Sequence, residues 1–128
     1  MLGYCMNECE VYFRLSGENF DPTIVVGTIK RKGEPIPKYS SWIFSSGKAK
    51  SELIYVYEMA AAVVSKLIPH TDSLIDLKNT NGLDAVLQVV MTFSPDEEKS
   101  MPVIGFDGDV LASLSTVGAT IDIDTYRG

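Results

Sequence analysis

The chain has 128 residues, 45% of them hydrophobic and 22% charged, with 17 Asp and Glu against 11 Lys and Arg for a formal charge of -6. That length supports one hydrophobic core, so the expectation is a single domain over residues 1-128 with a loose tail at 1-7. The acidic balance argues against nucleic acid or an anionic membrane surface as partner, and no apolar stretch approaches the length of a membrane span.

The opening M-L-G-Y-C-M-N-E-C has no basic region followed by an apolar one, so it does not read as a signal peptide and the cytoplasm is the expected compartment. Cys5 and Cys9 have the spacing of neither a redox pair nor a zinc knuckle; Cys5 falls in the tail, and Cys9 reads as a buried thiol. Residues 9–15, C-E-V-Y-F-R-L, alternate with period two, placing Cys9, Val11, Phe13 and Leu15 on one face of a strand that Gly17 ends. Asp21-Pro22 has the form of a helix start, although the β-branched T-I-V-V-G-T-I that follows also fits a strand. Lys30-Arg31-Lys32 reads as a solvated loop.

A strand is expected over 39–45, with Trp42 and Phe44 inward and Gly47 closing it. The spacing of Leu53, Tyr57, Ala60, Val64 and Leu67 predicts a helix over 51–68, stopped by Pro69. A second helix fits 71–79, with Thr71 as cap, Leu74 and Leu77 inward and Asn81-Gly82 as terminator. Residues 83–93 alternate most regularly, with Leu83, Ala85, Leu87, Val89, Met91 and Phe93 on one face. A turn at 94–100 and a short strand at 102–106 follow, then a helix over 110–117 capped by Asp107 and left through Gly118. The last strand, A-T-I-D-I-D-T-Y, turns Ala119, Ile121 and Ile123 inward and Asp122, Asp124 and Tyr126 outward. Strands apolar on one side only imply an α+β two-layer sandwich: a mainly antiparallel sheet of four to six strands with helices on one face. The expected core comprises Val11, Phe13, Trp42, Leu53, Tyr57, Val64, Leu67, Leu87, Val89, Leu114 and Ile121.

Signs of catalysis are thin. His70 is the only histidine, and it follows a helix-stopping proline. Ser40, Ser41, Ser45 and Ser46 lack a nucleophile-elbow pattern, so S-S-W-I-F-S-S-G reads as a strand that buries an indole and wears serines at its ends. Asp107-Gly108-Asp109 starts like a calcium loop without its later ligands and reads as a helix cap. Asp122 and Asp124 share a strand face about 7 Å apart, a separation suited to paired acids or a divalent ion but equally to a solvated face. No metal, cofactor or catalytic residue is expected. The outward strand positions Tyr12, Arg14, Val86, Gln88, Val90, Asp122, Asp124 and Tyr126 mix aromatics, valines and charges as a protein-contact surface does.

F-R-L-S-G-E-N-F-D-P, S-S-W-I-F-S-S-G and G-A-T-I-D-I-D-T-Y together resemble a bacterial family catalogued as domain of unknown function 4279, with a match running from about Glu8 to Tyr126. The family's recurring positions fall on Gly17, Phe20, Asp21, Pro22, Trp42, Ser46, Gly47, Gly118, Asp124 and Tyr126. The chain departs from the pattern after Asp21-Pro22, where I-V-V-G-T-I-K-R-K-G replaces a leucine-rich helix and a longer loop. The resemblance supplies no reaction. The preferred expectation is a non-catalytic protein-binding domain, such as an immunity protein that neutralises a basic toxin. A homodimer mate is the competing occupant of the face. The alternatives are a small-molecule-binding or regulatory domain and, behind it, a carboxylate-dependent enzyme.

Overall fold

Alternation over C-E-V-Y-F-R-L becomes the central strand β1 (Asn7–Glu18) of a five-stranded sheet in a computed structural model that describes residues 6–18, 20–21, 34–35, 39–51, 53–94 and 104–127. The other strands are β2 (Glu34–Pro35), β3 (Tyr39–Ser51), β4 (Asp84–Phe93) and β5 (Thr120–Arg127), in the spatial order β2-β3-β1-β4-β5. The β1–β3, β1–β4 and β2–β3 pairings are antiparallel, and β4–β5 is parallel. The helices are α1 (Val56–Leu67), α2 (Thr71–Asn81) and α3 (Gly108–Val117), with a 3-10 turn at Ile68–His70 between the first two. The expected two-layer α+β sandwich is therefore present, its parallel pair made by the crossover through α3.

The strand begins earlier and ends later than the alternation alone implied. Asn7 is part of β1 rather than of a loose tail: it pairs with Ser51, is buried, and its Oδ1 accepts the Ser94 amide at 2.7 Å. Gly17 lies within β1 instead of ending it. A Cβ there would sit 2.7 Å from Leu83 Cδ2, so the glycine lets the chain before β4 approach the strand. Gly17→Ala should destabilise by about 1–3 kcal/mol through overpacking, less in a Leu83→Val background. A urea-melt difference below about 0.5 kcal/mol would mean Leu83 simply rotates away.

β3 likewise runs past Gly47, to Ser51. The register shifts between Glu10 opposite Lys48 and Tyr12 opposite Ser45, so one β1 residue faces an extra residue of β3. Gly47 takes φ 79° at this bulge, a left-handed backbone that glycine adopts without a Cβ clash. The serines serve it. Ser46 Oγ accepts the Val11 amide at 3.1 Å, and Ser45 Oγ accepts the Gly47 amide at 2.8 Å while donating to Glu10 Oε2 at 2.5 Å. These two hydroxyls satisfy backbone amides in the middle of a strand, not at its end as the sequence suggested.

Cys9, Val11, Phe13 and Leu15 face the helices together with Trp42 and the Leu83-to-Phe93 series, and all are buried. Trp42 stacks on Phe44 with ring centroids 6.3 Å apart and planes at 9°. α1 starts at Val56, five residues later than expected, and turns Val56, Ala60, Val63, Val64 and Leu67 inward. The expected core residues Leu53 and Tyr57 are instead 70% and 39% exposed. Leu53 precedes the helix, and Tyr57 lies one residue out of phase with the buried stripe. Pro69 has no N–H and would press on the carbonyl four residues back, so α1 gives way to the 3-10 turn.

In α2, His70 takes the cap position expected of Thr71, whose hydroxyl instead donates to the Ile68 carbonyl at 2.7 Å. Leu74 is buried, Leu77 is partly so, and Gly82 ends the helix at φ 61°. Asp107 stands at the cap position of α3 without a side-chain cap hydrogen bond. Gly118 leaves α3 at φ 78°, with the Ala119 amide returning to the Leu114 carbonyl at 2.8 Å. Residues 104–106 form no strand, because β1 and β5 already occupy both edges of β4; Ile104 and Phe106 pack on the core instead. β5 is an edge strand, so Ile121 is only partly buried and Ile123 is 41% exposed. The expected helix after Asp21-Pro22, the basic loop at Lys30-Arg31-Lys32, Cys5 and residues 95–103 lie outside the described residues.

Candidate functional site

Strand register brings the outward residues into rows. Tyr12, Gln88 and Asp122 lie side by side; the next row holds Glu10, Val90 and Asp124, and the one after it Glu8, Thr92 and Tyr126. In the other direction come Arg14, Val86 and Thr120, then Ser16 and Asp84. β3 adds Ser45, Ile43 and Ser41 opposite Tyr12, Arg14 and Ser16. All eight residues Tyr12, Arg14, Val86, Gln88, Val90, Asp122, Asp124 and Tyr126 thus share the face turned away from the core. The pleat dictates this, because alternate residues of paired strands must face the same way.

Charge on this face is divided along the strands. Carboxylates of Glu8, Glu10, Asp122 and Asp124 lie on one side of the Arg14 row, and the single carboxylate of Asp84 lies on the other. Burial raises the Tyr12 phenol above its ordinary value; the Arg14 guanidinium pulls it back, while Glu10, Asp124 and Asp122 push it further up. Tyr12 therefore stays a neutral hydroxyl at physiological pH. Gln88 is buried at 3% exposure and ties β4 to β5 sideways, its Nε2 donating to Asp124 Oδ2 at 3.0 Å and to the Asp122 carbonyl at 3.3 Å. Asp122, Asp124 and Tyr126 are exposed, whereas Tyr12, Arg14, Val86 and Val90 are half-buried. The Lys48–Glu8 ion pair at 3.8 Å is on the surface, where such pairs contribute little.

Beyond the Arg14 row, Ser16, Ser41, Lys78, Asp84 and Thr120 join Arg14 in lining a cleft of about 490 Å³. Of these, only Arg14 stands out in the sequence. Asp84 follows the outward parity of its strand, but Ser16 lies past the alternation expected over 9–15, Lys78 arrives from the last turn of α2 and Ser41 from across β1, which no local pattern announces.

The other candidates are dispersed. His70 ends the 3-10 turn beneath α2, and Asp107 and Asp109 belong to the start of α3. Among the described residues no three His, Cys, Asp or Glu side chains converge as metal ligands, and no helix is long and apolar enough to cross a membrane. Cys9 is a buried thiol, pushed up to about 11 first by burial and then by Glu10. Its folded-state value lies above the ordinary 9.0, so this contribution to stability is full below pH 9.0 and is lost as pH rises through about 11. Alkylation of Cys9 by iodoacetamide at pH 8 should be roughly 100-fold or more slower in the native protein than in urea, a factor set by the free energy of opening. Equal rates, read by peptide mass spectrometry, would contradict the burial.

A family model described as Domain of unknown function (DUF4279) matches residues 7–128, essentially the whole described fold. The chain belongs to this family. No curated protein and no solved structure matches it. The positions that carry the DUF4279 resemblance have structural tasks here. Gly17 permits the Leu83 approach, Phe20 and Trp42 are core, Ser46 and Gly47 make the bulge, and Gly118 ends α3. Asp21 is exposed, and Pro22 lies outside the described residues. Asp124 and Tyr126 differ from the rest in facing outward on β5.

Proposed function

We propose that this DUF4279 chain is a non-catalytic protein-binding domain that docks a basic partner protein through the sheet face turned away from the helices. The supporting observation is the patch formed by Tyr12, Val86, Val90 and Tyr126, bordered by the carboxylates of Glu10, Asp122 and Asp124. Tyrosines supply large contact area at small entropic cost, and valines on a rigid sheet give an apolar centre that a partner can desolvate. The acidic border, on a chain of formal charge -6, favours a partner of opposite sign and accelerates encounter. A toxin nuclease, basic because it must bind nucleic acid, has the required charge, and a domain that held it would act as an immunity protein. The proposed setting is the cytoplasm, where Cys9 remains a thiol.

Capture experiments test this reading with wild-type protein and Val90→Arg as paired baits. Val90 sits between Glu10 and Asp124, so an arginine there brings bulk and a like charge to the basic partner without entering the core. A basic protein retained by wild type, released by salt and lost with Val90→Arg is the expected outcome. Equal retention by both baits moves the contact elsewhere. Light scattering that shows a dimer broken by Val90→Arg, with no second protein captured, replaces the basic partner with a second copy of the chain.

A further inference from the structure

The cleft beyond the Arg14 row has a chemistry distinct from the acidic end of the same face. Arg14 and Lys78 supply two cationic side chains, Ser16, Ser41 and Thr120 supply hydroxyls, and Asp84 supplies one carboxylate. The Arg14 Nε is shut off from solvent and has no hydrogen-bond partner among the described residues. That nitrogen is out of a ligand's reach, so Arg14 meets the cleft through the rest of its guanidinium. Guanidinium groups take oxyanions through parallel donors, and an ammonium adds charge without a directional demand. Gly118 keeps that ammonium free to move: a Cβ at this position, already strained at φ 78°, would lie 3.3 Å from Lys78 Nζ. The volume, about 490 Å³, is that of a site for a small organic molecule rather than a bare ion. Asp84 is an acceptor only, so it suits a hydroxyl donor on the part of the ligand away from the oxyanion.

We propose that this cleft binds a small hydroxylated oxyanion, a phosphate ester or an organic acid, with the oxyanion held by Arg14 and Lys78 and a ligand hydroxyl donated to Asp84. The cleft adjoins the proposed docking patch at Val86, which belongs to both, but Lys78 and Asp84 take no part in the patch, so the two readings are tested separately.

The test is an NMR titration of the full chain that follows the Ser16, Ser41 and Thr120 amides with inorganic phosphate, ribose 5-phosphate and gluconate. Saturable shifts are expected, with ribose 5-phosphate or gluconate binding about tenfold tighter than inorganic phosphate because only they offer a hydroxyl to Asp84. Preference for ribose 5-phosphate identifies a phosphate ester, and preference for gluconate identifies an organic acid. Arg14→Gln and Lys78→Gln should each weaken binding about tenfold. Asp84→Asn should act with opposite signs, tightening inorganic phosphate by removing a like charge and weakening the hydroxylated probe. Shifts that stay linear with concentration for all three probes overturn the proposal, as do variants that bind like wild type. Should Arg14→Gln unfold, Lys78→Gln and Asp84→Asn on the folded domain decide the same question.

Discussion

Truncating Trp42 to alanine is expected to destabilise the domain by about 3–5 kcal/mol, the range for emptying a fully packed aromatic site. The indole has no exposed surface, stacks on Phe44 and lies in the same cluster as Leu15, its cross-strand partner on β1. Removing it leaves a cavity against the central strand, where rigid neighbours on both sides resist collapse. Tyr126→Ala provides the contrast. That ring is 56% exposed at the end of an edge strand, so its loss should change stability by no more than about 0.5 kcal/mol while it reports on binding. Urea denaturation measures both. A Trp42→Ala cost below about 1 kcal/mol would mean the indole is peripheral to the fold.

The second large effect is kinetic. Replacing Asp122 and Asp124 together with asparagine removes two of the carboxylates bordering the valine and tyrosine patch. Association with a basic partner should slow about tenfold at low salt, and the difference should shrink as salt screens the remaining charge. The fold should survive, because both residues are exposed and an asparagine oxygen at 124 can still accept the Gln88 amide. Stopped-flow association at several ionic strengths separates steering from contact. A rate that ignores both the substitutions and salt would place the partner away from these carboxylates.

The strands were the most legible part of the sequence, because period-two alternation over β1 and β4 is imposed by the pleat and needs no knowledge of the partner strand. From that parity the outward residues Tyr12, Arg14, Val86, Gln88 and Val90 followed directly. Helix phase was harder. The stripe 57, 60, 64, 67 and the observed one through Val56, Ala60, Val63, Val64 and Leu67 share three residues, and both satisfy helical spacing. The part of the strand expected over 102–106 that is described, 104–106, is not a strand for a topological reason, since β5 claims the β4 edge through a parallel crossover that local sequence does not encode. The Arg14 cleft was hidden for the same reason: its lining comes from β1, β3, α2, β4 and β5. The proposed protein-contact face, by contrast, rests on residues whose orientation alternation alone supplied.

Exposed apolar side chains on the helical layer, Ile68 and Leu111 among them, offer a rival docking surface. Methyl NMR of the captured complex distinguishes the two most directly. Selective labelling of Val, Leu and Ile methyls reports both surfaces in one spectrum. The Val86 and Val90 methyls should shift and broaden on addition of the partner while those of Ile68 and Leu111 stay unchanged. Perturbation of Ile68 and Leu111 with silent Val86 and Val90 would contradict the assignment of the sheet face as the site of binding.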